Sequence, residues 1–423
     1  VFDVDALPAY TVAVQKKKIV ISMPGVKNGS NILQMTLNDS LVGSVAVNEV
    51  KNKLDAVISL NSNEYLEHKI FTLKNPNRVI IDFVKNYEKK TTEKLTPAIK
   101  YTSWQKVSRK GKMQAHIIEV APKSGYILKP VLAKGAIRGL EQLSAMSAIT
   151  GALAMVNGSY FHTDGATIGL LKMNNEIAST WPLPRGALGI IGDATVIIGQ
   201  PAYSGKIEFF NKQTYPISRV NWERGPNELI LYNGWYDATT KTNPYGVERT
   251  ILNGKVVAEN INNSSIPKGA AVLSGHGAAA AVLAQLKIGD DVKITETLGA
   301  EWDNAAHIIG AGPLLVKNKN VHVTAWEEAF GADVAGGRAP RTAAGVTADG
   351  TVLLVVVDGR QAASSGMTLQ ELAVFMQELG AEEAVNLDGG GSSEMIVRDK
   401  IKNIPSDGRE RRMGSALALI PKH

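Results

Sequence analysis

The sequence predicts an α+β protein: a mixed-sheet domain preceded by a small all-β sandwich domain. Three observations lead there. Short β-branched runs separated by turn residues fill the chain up to Val84. A polar, charged stretch then interrupts them. Beyond it, apolar strand-like runs mix with helical patterns and many glycine-containing turns.

In the first part, Lys18–Met23, Leu41–Val50, Leu54–Leu60 and Arg78–Val84 alternate as half-buried strands do. Pro24-Gly25, Asn28-Gly29, Asn61–Asn63 and Asn75-Pro76 supply turn chemistry between them. Residues 85–96 (KNYEKKTTEKLT) carry no apolar period and read as a linker. In the second part Met113–Val120 reads as a strand. Leu143–Thr150 reads as a helix running into the strand Leu153–Val156, and Leu188–Ile198 as a hairpin turning at Gly192-Asp193. The stretch from Thr195 to about Ala300 is turn-rich and predicts a β subdomain. The clearest helix is Thr368–Leu379. Thr368 and Glu371 form a T-x-x-E capping box, Leu369, Leu372, Ala373, Met376 and Leu379 share one face, and Gly380 stands at the stop.

A chain of 423 residues exceeds one ordinary core and predicts more than one domain. The absence of cysteine excludes disulfides, thiolate nucleophiles and Cys-based metal centres. No apolar run is long enough to span a bilayer. A Cys-free, glycine-rich chain that begins at Val1 rather than Met fits a secreted or cell-envelope protein whose signal peptide is not in the chain. The net charge of +6 is modest for this length. The clusters Lys16–Lys18, Lys89–Lys90 and Arg109–Lys112 lack interleaved aromatics, so no nucleic-acid partner is expected. His116, His162, His276, His307 and His322 show no metal-ligand spacing, and neither metal nor cofactor is expected.

The densest chemical signal is Val385–Ser393 (VNLDGGGSS). An apolar strand delivers Asp388 at its end. Gly389, Gly390 and Gly391 then permit close backbone approach, followed by the hydroxyls of Ser392 and Ser393. Consecutive N–H groups in such a bend can form an anion-binding nest, and a carboxylate beside a nest suits a sugar phosphate. A glycine-rich hairpin with a structural Asp is the bland alternative. Asp358-Gly359 ends the apolar strand Val352–Val357 in the same way, so two strand ends could bring two carboxylates together, as glycoside hydrolysis usually requires. Arg338 and Arg341 precede the strand Ala344–Thr347, and arginine is the natural bidentate ligand of phosphate. Asn157 follows another apolar strand and could bond a sugar hydroxyl. Ser274-Gly275-His276-Gly277 is a fragment of a nucleophile elbow without its first glycine, a weak serine-hydrolase signal.

Taken in order, NGSYF (157–161), GAGPLLV (310–316), RAPRTAAGVTADG (338–350), VVDGRQ (356–361), the helix SGMTLQELAVFM, NLDGGGSSEM (386–395) and PSDG (405–408) together resemble the phosphodiester glycosidase (NAGPA) family over about residues 97–423. The resemblance implies removal of a sugar from a sugar-1-phosphodiester, N-acetylglucosamine-1-phosphodiester-like, in bacterial cell-envelope or exopolysaccharide glycans. It implies catalytic roles for Asp388, Asp358 and Arg341. It implies substrate binding by Asn157, Thr342, Gly389, Gly390, Gly391, Ser392 and Ser393. The motif departs at Ser159, where the family usually has Gly, and at Tyr160, where Phe is usual; Ser159 is expected to narrow the pocket. Phe71–Asp82 (FTLKNPNRVIID) resembles the closing pattern of the AMIN domain, which implies peptidoglycan or an associated polymer as partner. The expected organisation is therefore an AMIN-like β-sandwich over 1–88, a linker over 89–100 and a phosphodiester glycosidase domain over 101–423. The rival class is a non-catalytic envelope glycan-binding protein that keeps the fold.

Overall fold

The computed structural model describes residues 1–39, 41–61, 65–108, 111–210 and 212–422. Asn63, Arg109 and Lys110, named above in a turn and a basic cluster, lie outside them. The fold is mostly β, and the chain divides into two compact units. One is Val1–Lys89 with Gln105–Lys112; the other is Lys90–Trp104 with Met113–His423.

The first unit is all-β. The strands Thr11–Gln15, Lys18–Pro24, Lys53–Leu60, Val42–Val50 and Gln34–Thr36 form one antiparallel sheet in that spatial order. Phe2–Asp3, Arg78–Lys85 and Tyr65–Leu73 form a second. Ile19, Ile21, Met23, Ala56, Ile58 and Val79 make the core, with Ile70, Ile81 and Phe83 against it. The alternation in Lys18–Pro24 is what buries Ile19, Ile21 and Met23 on one face.

The second unit is layered. The largest sheet, built mainly from this unit, runs Asn320–Val321, Leu314–Lys317, Ala381–Asn386, Arg341–Thr347, Val352–Val357, Gly111–Val120, Ile99–Ser108, Tyr87–Thr96. A five-stranded sheet runs Tyr126–Leu132, Ser415–Pro421, Ala154–Asn157, Met395–Val397, Lys400–Ile401. The all-apolar run Val352–Val357 is explained by burial on both faces. Val352, Leu354 and Val356 pack with Val156, Met395 and Leu417 of the smaller sheet. Leu353, Val355 and Val357 pack with Leu369, Leu372 and Met376 of the helix Leu369–Glu378. The helix Leu143–Thr150 covers the outer face of the smaller sheet through Leu143 and Met146 against Met155, Ile396 and Ala416. Residues between about 170 and 308 have a core of their own, centred on Phe209, Leu229, Leu231, Leu273 and Trp302.

One expectation is corrected. The segment 89–100 is not a linker, because all of it but the turn at Pro97-Ala98 lies within the strands Tyr87–Thr96 and Ile99–Ser108. Tyr87–Thr96 is the edge strand of the large sheet, and all but its last two residues are exposed. An edge strand wet on both faces has no hydrophobic period to betray it. Among the described residues, no helix is long and apolar enough to cross a membrane.

The helix Leu369–Glu378 starts on a complete capping box. The Thr368 side chain accepts from the Glu371 N–H, and the Glu371 carboxylate accepts from the Thr368 N–H. Thr368→Ala should destabilise the second unit by about 1 kcal/mol, seen as a lower midpoint in thermal or urea unfolding.

Candidate active site

The strands Val352–Val357 and Ala381–Asn386 both run antiparallel to Arg341–Thr347, one on each side of it. Their C-terminal ends therefore meet the start of Arg341–Thr347 at one end of the sheet. This brings Asp358, Asp388 and Arg341 to that end. The two aspartates leave strands two positions apart, about 10 Å by ordinary strand spacing.

Asp388 is held by its backbone. Its N–H donates to Gly158 O at 3.0 Å. Its own carbonyl accepts from Asn157 Nδ2 at 2.6 Å. The chain then turns through the short 3-10 segment Gly390–Ser392. The Asp388 carboxylate accepts from the Gly389 N–H at 2.8 Å and from the Ser392 hydroxyl. It remains partly exposed. Burial nonetheless pushes its pKa up from 3.8 to about 6, against the pull of Ser392, Gly389 and Arg411.

The backbone nest expected of the glycines does not form. The N–H groups of Gly389, Gly390, Ser392 and Ser393 are taken by Asp388 Oδ1, Pro340 O, Gly389 O and Gly390 O. Positive charge comes instead from side chains. A methyl group built on Gly390 would lie 3.4 Å from Arg360 Nη2. One built on Gly391 would lie 2.1 Å from Arg411 Nη2 and 2.5 Å from Asp407 Oδ1, so that pair stands directly against the glycine. Arg411 is paired with Asp407 at 2.6 Å. Arg360 is exposed, has a left-handed φ of 59°, and makes no ion pair among the described residues.

Arg341, Asn157, Thr342 and Asp358 are buried and make their hydrogen bonds to the protein itself. Arg341 is buried, with Nε donating to Met367 O and Nη2 to Val334 O and Gly337 O. Burial holds its pKa below the usual range, opposed by the Tyr160 phenol and reinforced by Arg360. Asn157 is buried too, and its Oδ1 accepts from the Thr342 hydroxyl at 2.6 Å and the Glu394 N–H at 3.2 Å. Its amide thus joins the Asp388 carbonyl to Thr342, which is fully buried. Asp358 is buried, accepts from Ile404 N at 3.2 Å, and lies 3.7 Å from His116 Nε2. His116 Nδ1 is in turn 2.8 Å from the Tyr101 hydroxyl. Asp358 is thus buried beside His116 with no hydrogen bond between them, and Asp388 is the more accessible carboxylate. Ser392 and Ser393 are buried, and the Ser393 hydroxyl has no partner among the described residues.

Ser159 does not narrow a pocket: it is buried and donates to Gly310 O at 2.7 Å. Tyr160 is the partly exposed one, donating to Gly312 O and accepting from Asn386 Nδ2; burial and Asp388 raise its pKa. Ser274 is fully buried and donates to Glu248 at 2.7 Å, which removes the serine-hydrolase reading. An open groove of about 560 Å³ lined by Glu176, Ile251, Asn253, Asp291 and Lys293 contains none of these residues.

Sequence reasoning assigned no role to Arg360, Arg411 or Asp407, though DGRQ and PSDG contain two of them. Nor did it notice Glu394. That carboxyl is fully buried, and no donor reaches either oxygen. Its neighbour is another carboxylate, Glu410, which caps Ser144 through N–H and Oγ at 2.6 and 2.8 Å.

The deciding comparison concerns the C-terminal part. Residues 233–420 match the phosphodiester glycosidase (NAGPA) family model. That span holds Arg341, Arg360, Asp388 and Arg411. A SPbeta prophage-derived uncharacterized protein YomE of Bacillus subtilis (strain 168) is 41% identical over 80 residues, 19% of this chain and 12% of that protein. The N-acetylglucosamine-1-phosphodiester alpha-N-acetylglucosaminidase of Mus musculus is 37% identical over 67 residues, 16% of this chain and 13% of the enzyme. The alignments therefore span about an eighth of these relatives' length. A crystal structure of a hypothetical protein from Synechocystis shares the fold with a TM-score of 0.70 and 19% identity, over 97% of this chain and 76% of that one. One from Burkholderia pseudomallei K96243, described as exported, does so with a TM-score of 0.63 and 20% identity, over 98% and 97%.

Burial and Glu410 push Glu394 from its ordinary 4.5 up to about 9. Between those values the native state keeps a proton that the unfolded chain has lost, so stability must fall as pH rises through this window. Glu394→Gln, which cannot ionise, should raise the melting temperature at pH 8 by about 2 °C or more. At pH 4, where the glutamate is protonated in both states, the gain should vanish. Differential scanning calorimetry of both proteins at the two pH values checks this.

Proposed function

We propose that this chain hydrolyses sugar-1-phosphodiesters, cutting between the anomeric carbon and the phosphate oxygen. The observation that carries the proposal is the company kept by Asp388. It is an accessible carboxylate on a rigid turn, with an uncompensated arginine, Arg360, and the paired Arg411 against the two glycines that follow. The match of residues 233–420 to the phosphodiester glycosidase family supports the same glycosidase-type chemistry.

The chemistry follows from the charges. Breaking the C–O bond builds positive charge on the sugar ring and negative charge on the departing phosphate. Asp388, ionised above its pKa of about 6, faces the first. Arg360 and Arg411 face the second, as preordered donors in place of solvent. Water adds its oxygen to the anomeric carbon, and its proton passes to Asp388 and then to solvent. The phosphate leaves as a phosphomonoester. A phosphate leaving group is already a stable anion, so no strong general acid is required. Arg341, Asn157, Thr342 and Asp358 act by position. The N-acetylglucosamine preference, the exopolysaccharide or envelope setting and export are part of the same proposal, supported by the motif resemblance and by the exported Burkholderia neighbour. A polymer-binding role for the first unit rests on the AMIN-like pattern at Phe71–Asp82.

The test is a kinetic series on a nitrophenyl phosphodiester of N-acetylglucosamine-1-phosphate and on the plain nitrophenyl glycoside. Asp388→Asn should lower turnover of the phosphodiester by at least ~10²-fold with the fold intact. The wild-type rate should rise with pH through a midpoint near 6, the limb set by Asp388. Folded wild type that binds the phosphodiester without turning it over would favour the glycan-binding alternative.

Arg360→Lys should cost about tenfold or more on the phosphodiester and little on the plain glycoside, since a point charge cannot reproduce the fork. Arg341→Lys should impair both substrates and lower the melting temperature, because it removes three bonds to backbone carbonyls. An Arg360→Lys penalty equal on both substrates would place the phosphate elsewhere.

A further inference from the structure

A row of ring and guanidinium groups leads away from the glycine turn. Tyr160, whose hydroxyl bonds Asn386 beside Asp388, packs against Phe330 with centroids 5.5 Å apart. The Arg185 guanidinium lies 4.1 Å from the Phe330 centroid and 5.0 Å from that of Trp181. Trp181 meets Trp222 edge to face at 5.4 Å and 86°. His162 ends the row, 6.0 Å from Trp222. From Phe330 outward exposure rises: Phe330 is buried, Arg185, Trp181 and Trp222 are half-buried, and His162 is exposed, while Tyr160 at the inner end is itself half-buried.

Core packing does not account for the outer members. The buried Trp302 and the half-buried Trp235 both pack in apolar clusters, and the Trp235 indole N–H donates to Glu176. Trp181 and Trp222 are half open, and neither indole N–H has an acceptor among the described residues. They come from separate loops, after Glu176–Ser179 and after Arg219–Val220, while His162 follows Tyr160–Phe161. The backbone behind Trp222 is pinned, its carbonyl accepting from the Tyr232 hydroxyl at 2.6 Å. The guanidinium of Arg219 stands 5.6 Å from the Trp222 ring but is paired with Glu228 at 2.7 Å, so the outer row carries little net charge. Aromatic faces, free N–H donors and low charge match a pyranose, which offers an apolar C–H face and a rim of hydroxyls.

We propose that Trp181, Trp222 and His162, with Arg185 at the inner end, form a subsite for a carbohydrate chain, so that the molecule taken by the glycine turn is longer than one sugar. This rests on reading that turn as a sugar-phosphodiester site, since continuity with it is what orients the row. The row fixes substrate length, and the turn carries out the bond cleavage.

The experiment measures retention of the full chain on an array of immobilised oligosaccharides of graded length, beside turnover of the small nitrophenyl phosphodiester. Wild type should bind more tightly as the glycan lengthens. Trp181→Ala with Trp222→Ala should lose about tenfold in affinity for the long glycans and bind all lengths alike. Trp→Phe at both positions keeps the faces and should restore part of the length dependence, which separates binding from misfolding. No retention of any oligosaccharide by folded wild type, or equal length dependence in the double alanine variant, overturns the subsite. Turnover of the small phosphodiester together with such a result would spare the hydrolase reading. Length-dependent retention lost in the variant, without any turnover by wild type, would spare the subsite and remove the hydrolase.

Discussion

The side-chain amide of Asn157 is the constraint on which the site depends. It stands at the end of a strand of the smaller sheet and reaches three groups at once: the Asp388 carbonyl, the Thr342 hydroxyl and the Glu394 N–H. Thr342 belongs to the large sheet, while Glu394 leads into the smaller one. A single buried amide thus locks both sheets to the turn that bears the exposed carboxylate. In a dry environment each of these bonds is costly to leave unmade. That gives the turn one position, and Asp388 one direction, without any help from a ligand.

The buried carboxylates fall into two kinds. Glu248 and Glu328 are fully buried, yet each is surrounded by donors: Ser274, Thr242 and the Ser264 N–H for the first, Gly186 N–H, Leu314 N–H and Gln200 for the second. These are joints. Glu394 has no donor on either oxygen, while the partly exposed Asp388 has the Gly389 N–H and the Ser392 hydroxyl; both hold their protons to higher pH than in water. They lie on either side of the same short turn. Asn157 holds the backbone at both ends of that turn, so the fully buried Glu394 cannot reach solvent by a shift of the chain.

Much of the fold was legible in the sequence. Val352–Val357 and the helix after Thr368 announce themselves by an apolar run and by a capping box. The Tyr87–Thr96 strand did not, because its residues face water on both sides. The residues of the candidate site were legible in the sequence, but their hydrogen-bond partners were not. Asn157, Thr342 and Arg341 turn their polar atoms inward to protein groups, and Asp358 ends the strand two positions away from that of Asp388. Whether a polar group faces inward to a carbonyl or outward to a ligand is decided by long-range contacts such as Arg341 with Met367 and Val334. Local spacing cannot encode it. The expected nest failed for the same reason: the turn consumes its own N–H groups, and Arg360 and Arg411 supply the charge from other segments.

The exposed edge strand Tyr87–Thr96 has one more consequence. A sheet that ends on an open row of backbone donors and acceptors invites another strand to add itself, whether from a second copy or from an unfolded chain. Here the opposite edge is only the two-residue strand Asn320–Val321, too short to template anything. The long edge carries Glu88, Lys89, Lys90, Glu93 and Lys94 on its exposed positions. A strand approaching it would have to desolvate that run of charges before gaining its first hydrogen bond. The polar composition that hides this strand from a reader of the sequence is therefore also what protects the sheet from unwanted company.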